Sequence, residues 1–311
     1  MSRFNDIYQF LKKIPVLGIP FRLIEGPLRR KRIQQLEEAE EKRHWEFRIA
    51  NTLASPDNDH IPRVEDAGTV HGDQQVMHNG LRIVPGSYHG NTVSLQLQKN
   101  RGVHEPEEER VFQEVLRHMP ESATMIELGA YWGFYSMWFQ KEVANATCHL
   151  IEPEDEHLEF GRKNLALNGM QGHFHKALID GQSGRTDDGT PIICVDDFME
   201  ENKIDRLHML HADIQGFERR MLDGTRKAFA RDAIDYVFVS THRAGKPEYP
   251  HINAIHDQCM EFFREIDFFI IAETNLETTY SWDGLIAARR RDISGPDRIE
   301  IAKRPPGSPM L

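Results

Sequence analysis

Short apolar runs alternate with segments of helical period from about residue 103 to residue 290. Thr124 to Leu128, His149 to Ile151, Phe174 to Ile179, Leu207 to Ala212, Ile234 to Ser240, Phe268 to Ala272 and Leu285 to Arg290 read as strands. Glu107 to His118 reads as a helix that gathers Val111, Phe112, Val115 and Leu116 on one face. Phe134 to Val143, Glu156 to Leu167, Phe217 to Phe229 and Ile252 to Ile266 read as further helices. Asp180 to Thr190 is polar and Gly-rich, hence a loop, before an extended piece at Ile192 to Val195 and a helical turn at Asp197 to Asn202. This alternation predicts an α/β fold: a seven-stranded, mainly parallel open sheet with helices on both faces. Ligands of such sheets sit at the carboxyl ends of the strands, where the strand order reverses.

The first hundred residues follow another pattern. Arg29 to Ile49 is charge-dense and reads as a helix, and residues 51 to 67, with Pro56 and Pro62, read as a linker. Residues 68 to 98 hold β-prone runs broken by Asn79-Gly80, Pro85-Gly86 and Gly90, and Asn-Gly between apolar runs predicts a hairpin. The organisation expected is an N-terminal helical extension and linker (1–67), a small β-element (68–102), the main domain (103–303) and a disordered tail (304–311). Phe4 to Ile24 is apolar but carries Pro15, Pro20 and three basic residues. It reads either as a docking segment, on this domain or between subunits of a homo-oligomer, or as a peripheral membrane contact backed by Arg29 to Arg32.

Composition narrows the function. A hydrophobic fraction of 39% fits a folded protein, and a net charge of -11 makes nucleic acid a poor partner. Cys148, Cys194 and Cys259 are far apart and form no framework, which fits a reducing, cytoplasmic setting.

The richest segment is Glu127-Leu128-Gly129-Ala130-Tyr131-Trp132-Gly133, which runs from strand through loop to helix. Gly129 permits a tight turn, and Gly133 lets the helix start close to a ligand. The spacing G-x-x-x-G is not the dinucleotide fingerprint. Glu127 would repel a pyrophosphate and welcome an α-ammonium group, so it favours S-adenosylmethionine over NAD. Glu152 ends the next strand, where a carboxylate can accept both ribose hydroxyls of an adenosine.

These residues, with Tyr135-Ser136, Glu152-Pro153, Asn164-x-x-x-Asn168-Gly169 and Asp213-Ile214-Gln215-Gly216-Phe217-Glu218, resemble the FkbM-type family of class I S-adenosylmethionine-dependent methyltransferases. The resemblance covers roughly residues 103 to 290 and departs from the family at Tyr131, Trp132 and His211-Ala212. It implies a Rossmann-like sheet with a reversed last strand, and O-methylation of a hydroxyl on a sugar, glycan or related small molecule. It also implies that Glu127, Gly129, Ala130, Tyr131, Gly133 and Ser136 line the methionine portion of the cofactor. Glu152 would take the ribose, and Ala177 and Leu178 the adenine unless they are plain core.

Methyl transfer needs an aligned acceptor and a group that takes its proton. Asp213 is the leading candidate: it could hold the cofactor, orient the acceptor, bind a divalent metal, or only cap the following helix. His242 has the pKa range of a general base, and His211 is a third candidate. Asp213, His211 and His242 together could hold a metal, although their spacing does not support one. On the acceptor side stand Glu105, Trp132, Glu218 and Trp282; Glu218 could instead serve only the helix dipole, and the aromatics only packing. An NAD-dependent oxidoreductase or epimerase and a non-catalytic cofactor-binding scaffold remain the competing readings.

Overall fold

A computed structural model describes residues 27–243, 249–305 and 308, with the backbone alone at 27–38, 40 and 41. The apolar segment Phe4 to Ile24 lies outside the described residues, as do the tail positions 306, 307 and 309–311. Among the described residues no helix is long and apolar enough to cross a membrane.

Helix α1 (Pro27–Ala54) is followed by a short 3-10 turn at Pro56–His60. The turn is not a loose linker. Asp57 is fully buried, forms an ion pair with Arg110, and accepts the Ala302 amide at 2.8 Å. Strands β1 (Val70–His71), β2 (Gln74–Val76) and β3 (Arg82–Ile83) form the small antiparallel sheet that the turn signals predict. The Asn79-Gly80 corner joins β2 to β3, with Gly80 at φ 82°. Residues 90–99, expected as β, are instead helix α2 (Gly90–Lys99). Val93 and Leu97 alternate with Leu95 like a strand, yet Val93, Ser94, Gln96 and Leu97 are the buried set, which is a helical face.

The main domain runs α3 (Pro106–Leu116), β4 (Thr124–Leu128), α4 (Phe134–Glu142), β5 (Thr147–Ile151), α5 (Asp155–Leu167) and β6 (His173–His175). Three short strands follow, β7 (Leu178–Ile179), β8 (Gly184–Arg185) and β9 (Pro191–Ile193). Next come α6 (Val195–Glu201), β10 (Leu207–Ala212), α7 (Glu218–Asp223), α8 (Arg226–Ala230) and β11 (Ile234–Thr241). Helix α9 (Ala254–Glu265), β12 (Phe269–Thr274) and β13 (Gly284–Arg289) close the domain.

The sheet order is β12-β13-β11-β10-β4-β5-β6, with β13 antiparallel to both neighbours. This is the Rossmann-like sheet with a reversed last strand. Its strands are buried on both faces, so alternate residues serve opposite cores. Met125, Met209 and Phe238 pack under α3 and α4, while Ile126, Leu210 and Val237 pack under the helices of the other face.

Two predicted elements are divided. Phe174 to Ile179 splits after His175, and Leu178–Ile179 pairs with β9 in a separate three-stranded sheet. Phe217 to Phe229 splits at Gly224-Thr225, because Asp196 caps the second piece by accepting the Lys227 and Ala228 amides at 2.9 and 2.8 Å. Arg304, expected at the head of a disordered tail, is buried, and its amide donates to the Thr278 carbonyl at 2.7 Å.

The motif Asn164-x-x-x-Asn168 fastens the N-terminal β-element to α5. Asn164 accepts the Val84 amide at 2.8 Å and donates to the Trp132 carbonyl at 3.0 Å. Asn168 pairs with both backbone groups of Arg82, at 2.9 and 2.7 Å.

Candidate active site

A cavity of about 600 Å³ opens at the carboxyl ends of β4, β5 and β10. Gly129 makes its floor possible. It sits at φ 74°, and a Cβ there would lie 1.8 Å from the Asp213 carbonyl oxygen. The Asp213 amide donates to Leu128 O at 2.9 Å, so the two strand ends are stitched together where the loop turns. Gly133 has a different duty. At φ 73°, a Cβ on it would press on Leu150 and Leu165 at 3.0 Å, so this glycine seats α4 against β5 and α5.

Glu127 lies at the cavity wall, and its carboxylate accepts the Ser136 amide at 3.0 Å. Burial raises its pKa against the pull of His211 and Ser136. Glu152 ends β5; it accepts the Tyr131 amide at 3.2 Å and the Glu154 amide at 3.0 Å, and lies 3.2 Å from His157 Nδ1. Tyr131 stacks on His157 with ring centroids 3.5 Å apart. Ala177 and Leu178 line the far end of the cavity.

The opposite end is crowded with ionisable groups. His242 Nδ1 lies 2.8 Å from Glu218 Oε1, while Nε2 lies 3.2 Å from Asp213 and 3.1 Å from Asp283. The Gln215 side-chain amide is 2.8 Å from the same nitrogen and 3.1 Å from Asp213 Oδ1. Burial opposes a charge on His242, but Asp283, Glu218 and Asp213 together hold it protonated well above the usual histidine range. Asp283 is pushed up to about 7, by burial first and against the pull of His242.

The start of α3 supplies a second buried network. His211 Nε2 lies 2.6 Å from Glu108, which also accepts the Ser240 hydroxyl at 2.8 Å. His104 lies 3.1 Å from Glu105 and 2.6 Å from Glu109. Burial works against its charge, yet the two carboxylates raise it to about 10. Glu105 is held at about 2: burial works to raise it, but His104, Arg48 and the Tyr135 hydroxyl prevail.

The structure brings most of the predicted residues together. Glu105, Glu127, Gly129, Ala130, Tyr131, Trp132, Glu152, Ala177, Leu178, His211 and Asp213 all line the cavity. Gly133, Ser136, Glu218, His242 and Trp282 do not. Ser136 is fully buried behind Glu127, and Glu218 and His242 stand behind Asp213. Trp282 packs on His44 of α1 at 4.0 Å, beneath the Arg48 guanidinium. Among the described residues no group of three or more His, Cys, Asp or Glu side chains is arranged to hold a metal ion. His211 is engaged by Glu108, and His242 by carboxylates that hydrogen bonding already uses.

Tyr88, His89, His104, His157, Gln215 and Phe217 also line the cavity and were not foreseen. Tyr88 and His89 come from the β-element and carry no local signal of a site. His157 lies five residues beyond Glu152 on the first turn of α5, a spacing that could have pointed to it. In the acidic run Glu107-Glu108-Glu109 at the start of α3, all three residues are buried.

A glycine turn pressed against the neighbouring strand end and a carboxylate closing the next strand are the arrangement with which Rossmann-like sheets take nucleotide-type cofactors. Residues 127–270 match the model of the methyltransferase FkbM domain. No curated protein matches the chain. Among solved structures, the chain is similar to a putative rRNA methylase from Clostridium thermocellum (11% identity, 59% of this chain and 96% of that one, TM-score 0.43). It is also similar to TrmK of M. capricolum in complex with S-adenosylhomocysteine (10% identity, 61% and 70%, TM-score 0.39). A putative SAM-dependent methyltransferase from Streptococcus mutans gives 9% identity over 71% of this chain and 57% of its own, with a TM-score of 0.43. Likenesses this distant carry nothing about the acceptor.

Proposed function

We propose that this chain transfers the methyl group of S-adenosylmethionine in line to a hydroxyl of a sugar, glycan or related small molecule, with Asp213 as the group that meets the acceptor. The observation that carries the reading is the position of Asp213. It lines the cavity, its backbone closes on Gly129, and its carboxylate is backed by His242 at 3.2 Å.

The residues present fit the cofactor. Glu152 stands where ribose hydroxyls would bind, Ala177 and Leu178 offer an apolar wall for the base, and the Gly129–Tyr131 loop brings backbone close to the methionine portion. Bound there, S-adenosylmethionine supplies an electrophilic methyl group whose departure leaves a neutral thioether. Asp213 orients the acceptor hydroxyl and accepts its proton as the bond to carbon forms. His242, expected as the base, takes a supporting part instead. Its ring is engaged on both nitrogens by Glu218, Asp213 and Asp283, so it holds the Asp213 carboxylate in place. Glu218 also accepts the Gly216 amide at 2.9 Å, which fixes the turn that carries Asp213 and Gln215. The oxygen acceptor and its glycan nature are supported by the family resemblance. Three free, buried cysteines fit a reducing compartment.

Calorimetry with S-adenosylmethionine, S-adenosylhomocysteine and NAD tests the cofactor. Binding of the first two is expected; binding of NAD alone would replace this reading with an oxidoreductase. Transfer of labelled methyl to a panel of sugars then separates an enzyme from a scaffold, and full activity in Asp213→Ala would remove Asp213 from the reaction.

A further inference from the structure

We propose that the acceptor side of the cavity selects a neutral or positively charged acceptor and turns away phosphorylated or carboxylate-bearing ones, with Glu105 as the selecting group. The inference rests on the methyltransferase reading above and goes beyond it by assigning the charge of the acceptor.

Six carboxylates line the cavity (Glu105, Glu127, Glu152, Glu154, Asp180 and Asp213), and no lysine or arginine stands among the described lining residues. Several are already committed. Asp180 is paired with Arg220 at 2.5 Å, Glu127 accepts a backbone amide, and Glu152 accepts two. Glu105 is different. It is 4% exposed, and its Oε2 takes both the Tyr135 hydroxyl and His104, each at 3.1 Å. Its Oε1 has no hydrogen-bond partner. A buried carboxylate oxygen without a donor is costly, and it is satisfied by a ligand that brings one.

The charge around Glu105 does not cancel. His104 is shared between Glu105 and Glu109, so two carboxylates face one imidazolium. His78, 3.2 Å from Glu109, is driven toward its neutral form by burial. Arg48 acts on Glu105 from α1, but its guanidinium lies over the rings of Trp45 and Trp282, at 5.0 and 5.1 Å, outside the lining. Asp213 adds negative charge on the same side, and its partner His242 is shared with Glu218 and Asp283. An anionic acceptor would therefore lose its hydration in a site where carboxylates outnumber the cations and already engage His104. A hydroxyl or an ammonium group would give Glu105 Oε1 its donor.

Sinefungin tests this directly. It carries an ammonium group where S-adenosylmethionine carries the methyl sulfonium, whereas S-adenosylhomocysteine carries no charge there. Both are titrated calorimetrically into the full chain and into Glu105→Gln. Sinefungin is expected to bind at least about tenfold tighter than S-adenosylhomocysteine, and the ratio to fall close to one in the variant. Because a ratio is read, any general loss of folding in the variant cancels. Equal affinities in the unaltered chain, or an unchanged ratio in Glu105→Gln, would overturn the assignment of Glu105. Methylation of a phosphorylated sugar or an RNA as readily as a neutral sugar would overturn the exclusion of anions. If neither ligand binds, the cofactor reading itself fails and takes this inference with it.

Discussion

The Gly129 α-carbon and the Asp213 carbonyl oxygen approach so closely that a β-carbon would stand 1.8 Å from that oxygen. Backbone, not a mobile side chain, blocks the space, so relief requires moving β4 or β10. Gly129→Ala, also strained by φ 74°, should destabilise the fold by about 2–4 kcal/mol and weaken cofactor binding. Thermal melts and calorimetry would show both; a variant that binds cofactor normally would mean the loop does not hold it.

Asp213→Asn keeps the shape of the side chain and its contact with Gln215 but removes the proton acceptor. Methyl transfer should fall by a factor of about 10²–10⁴, with cofactor affinity largely retained. A fall in affinity alone, with turnover intact at saturation, would assign Asp213 to binding and not to the proton.

His104 gives a pH dependence with a definite sign. Its folded pKa is raised to about 10, above the unfolded value of 6.5. The stability it contributes is complete below about 6.5 and is lost as pH rises through about 10. Denaturant unfolding should show stability declining across that window. His104→Asn should be less stable at pH 7 and flatter above it.

Glu107 acts in an earlier window. Burial raises its folded pKa from 4.5 to about 7, although the Ser281 hydroxyl and the Tyr280 amide favour its charged form. A folded carboxyl that holds its proton more tightly contributes stability present below pH 4.5 and lost as pH rises through about 7. Glu107→Gln has no proton to lose, so its unfolding free energy should change less between those pH values. Equal slopes for both proteins would show that Glu107 titrates normally.

Asn164 joins the β-element, the cofactor loop and α5. Asn164→Ala leaves the Val84 amide and the Trp132 carbonyl without this partner, and should cost about 2–3 kcal/mol. Hydrogen exchange should quicken at Val84 before it does in β4 or β10.

The sheet was legible because each central strand is a local apolar run between turn residues. Thr124–Leu128 and Leu207–Ala212 match their predicted bounds. The cofactor end was legible for a similar reason: Glu127, Gly129 and Glu152 sit next to strand ends in sequence. What escaped was decided by distant partners. Asp283 matters because the reversed strand β13 carries it to His242, and Glu108 because α3 lies over His211. Residues 90–99 could be read with either period until their burial was known, and the protonation of His242 depends on three carboxylates from three segments.

Tyr88 and His89, fastened through Asn164 and Asn168, form part of the cavity wall, while Asp57 clasps Arg110 on one side and Ala302 on the other. The unit able to work therefore outgrows the recognised domain at 127–270 in both directions. An excised fragment with those bounds would be missing a wall and both halves of its clasp. For anyone expressing, grafting or recombining this protein, any cut between His44 and Arg304 would sever contacts that reach the cavity or its clasp.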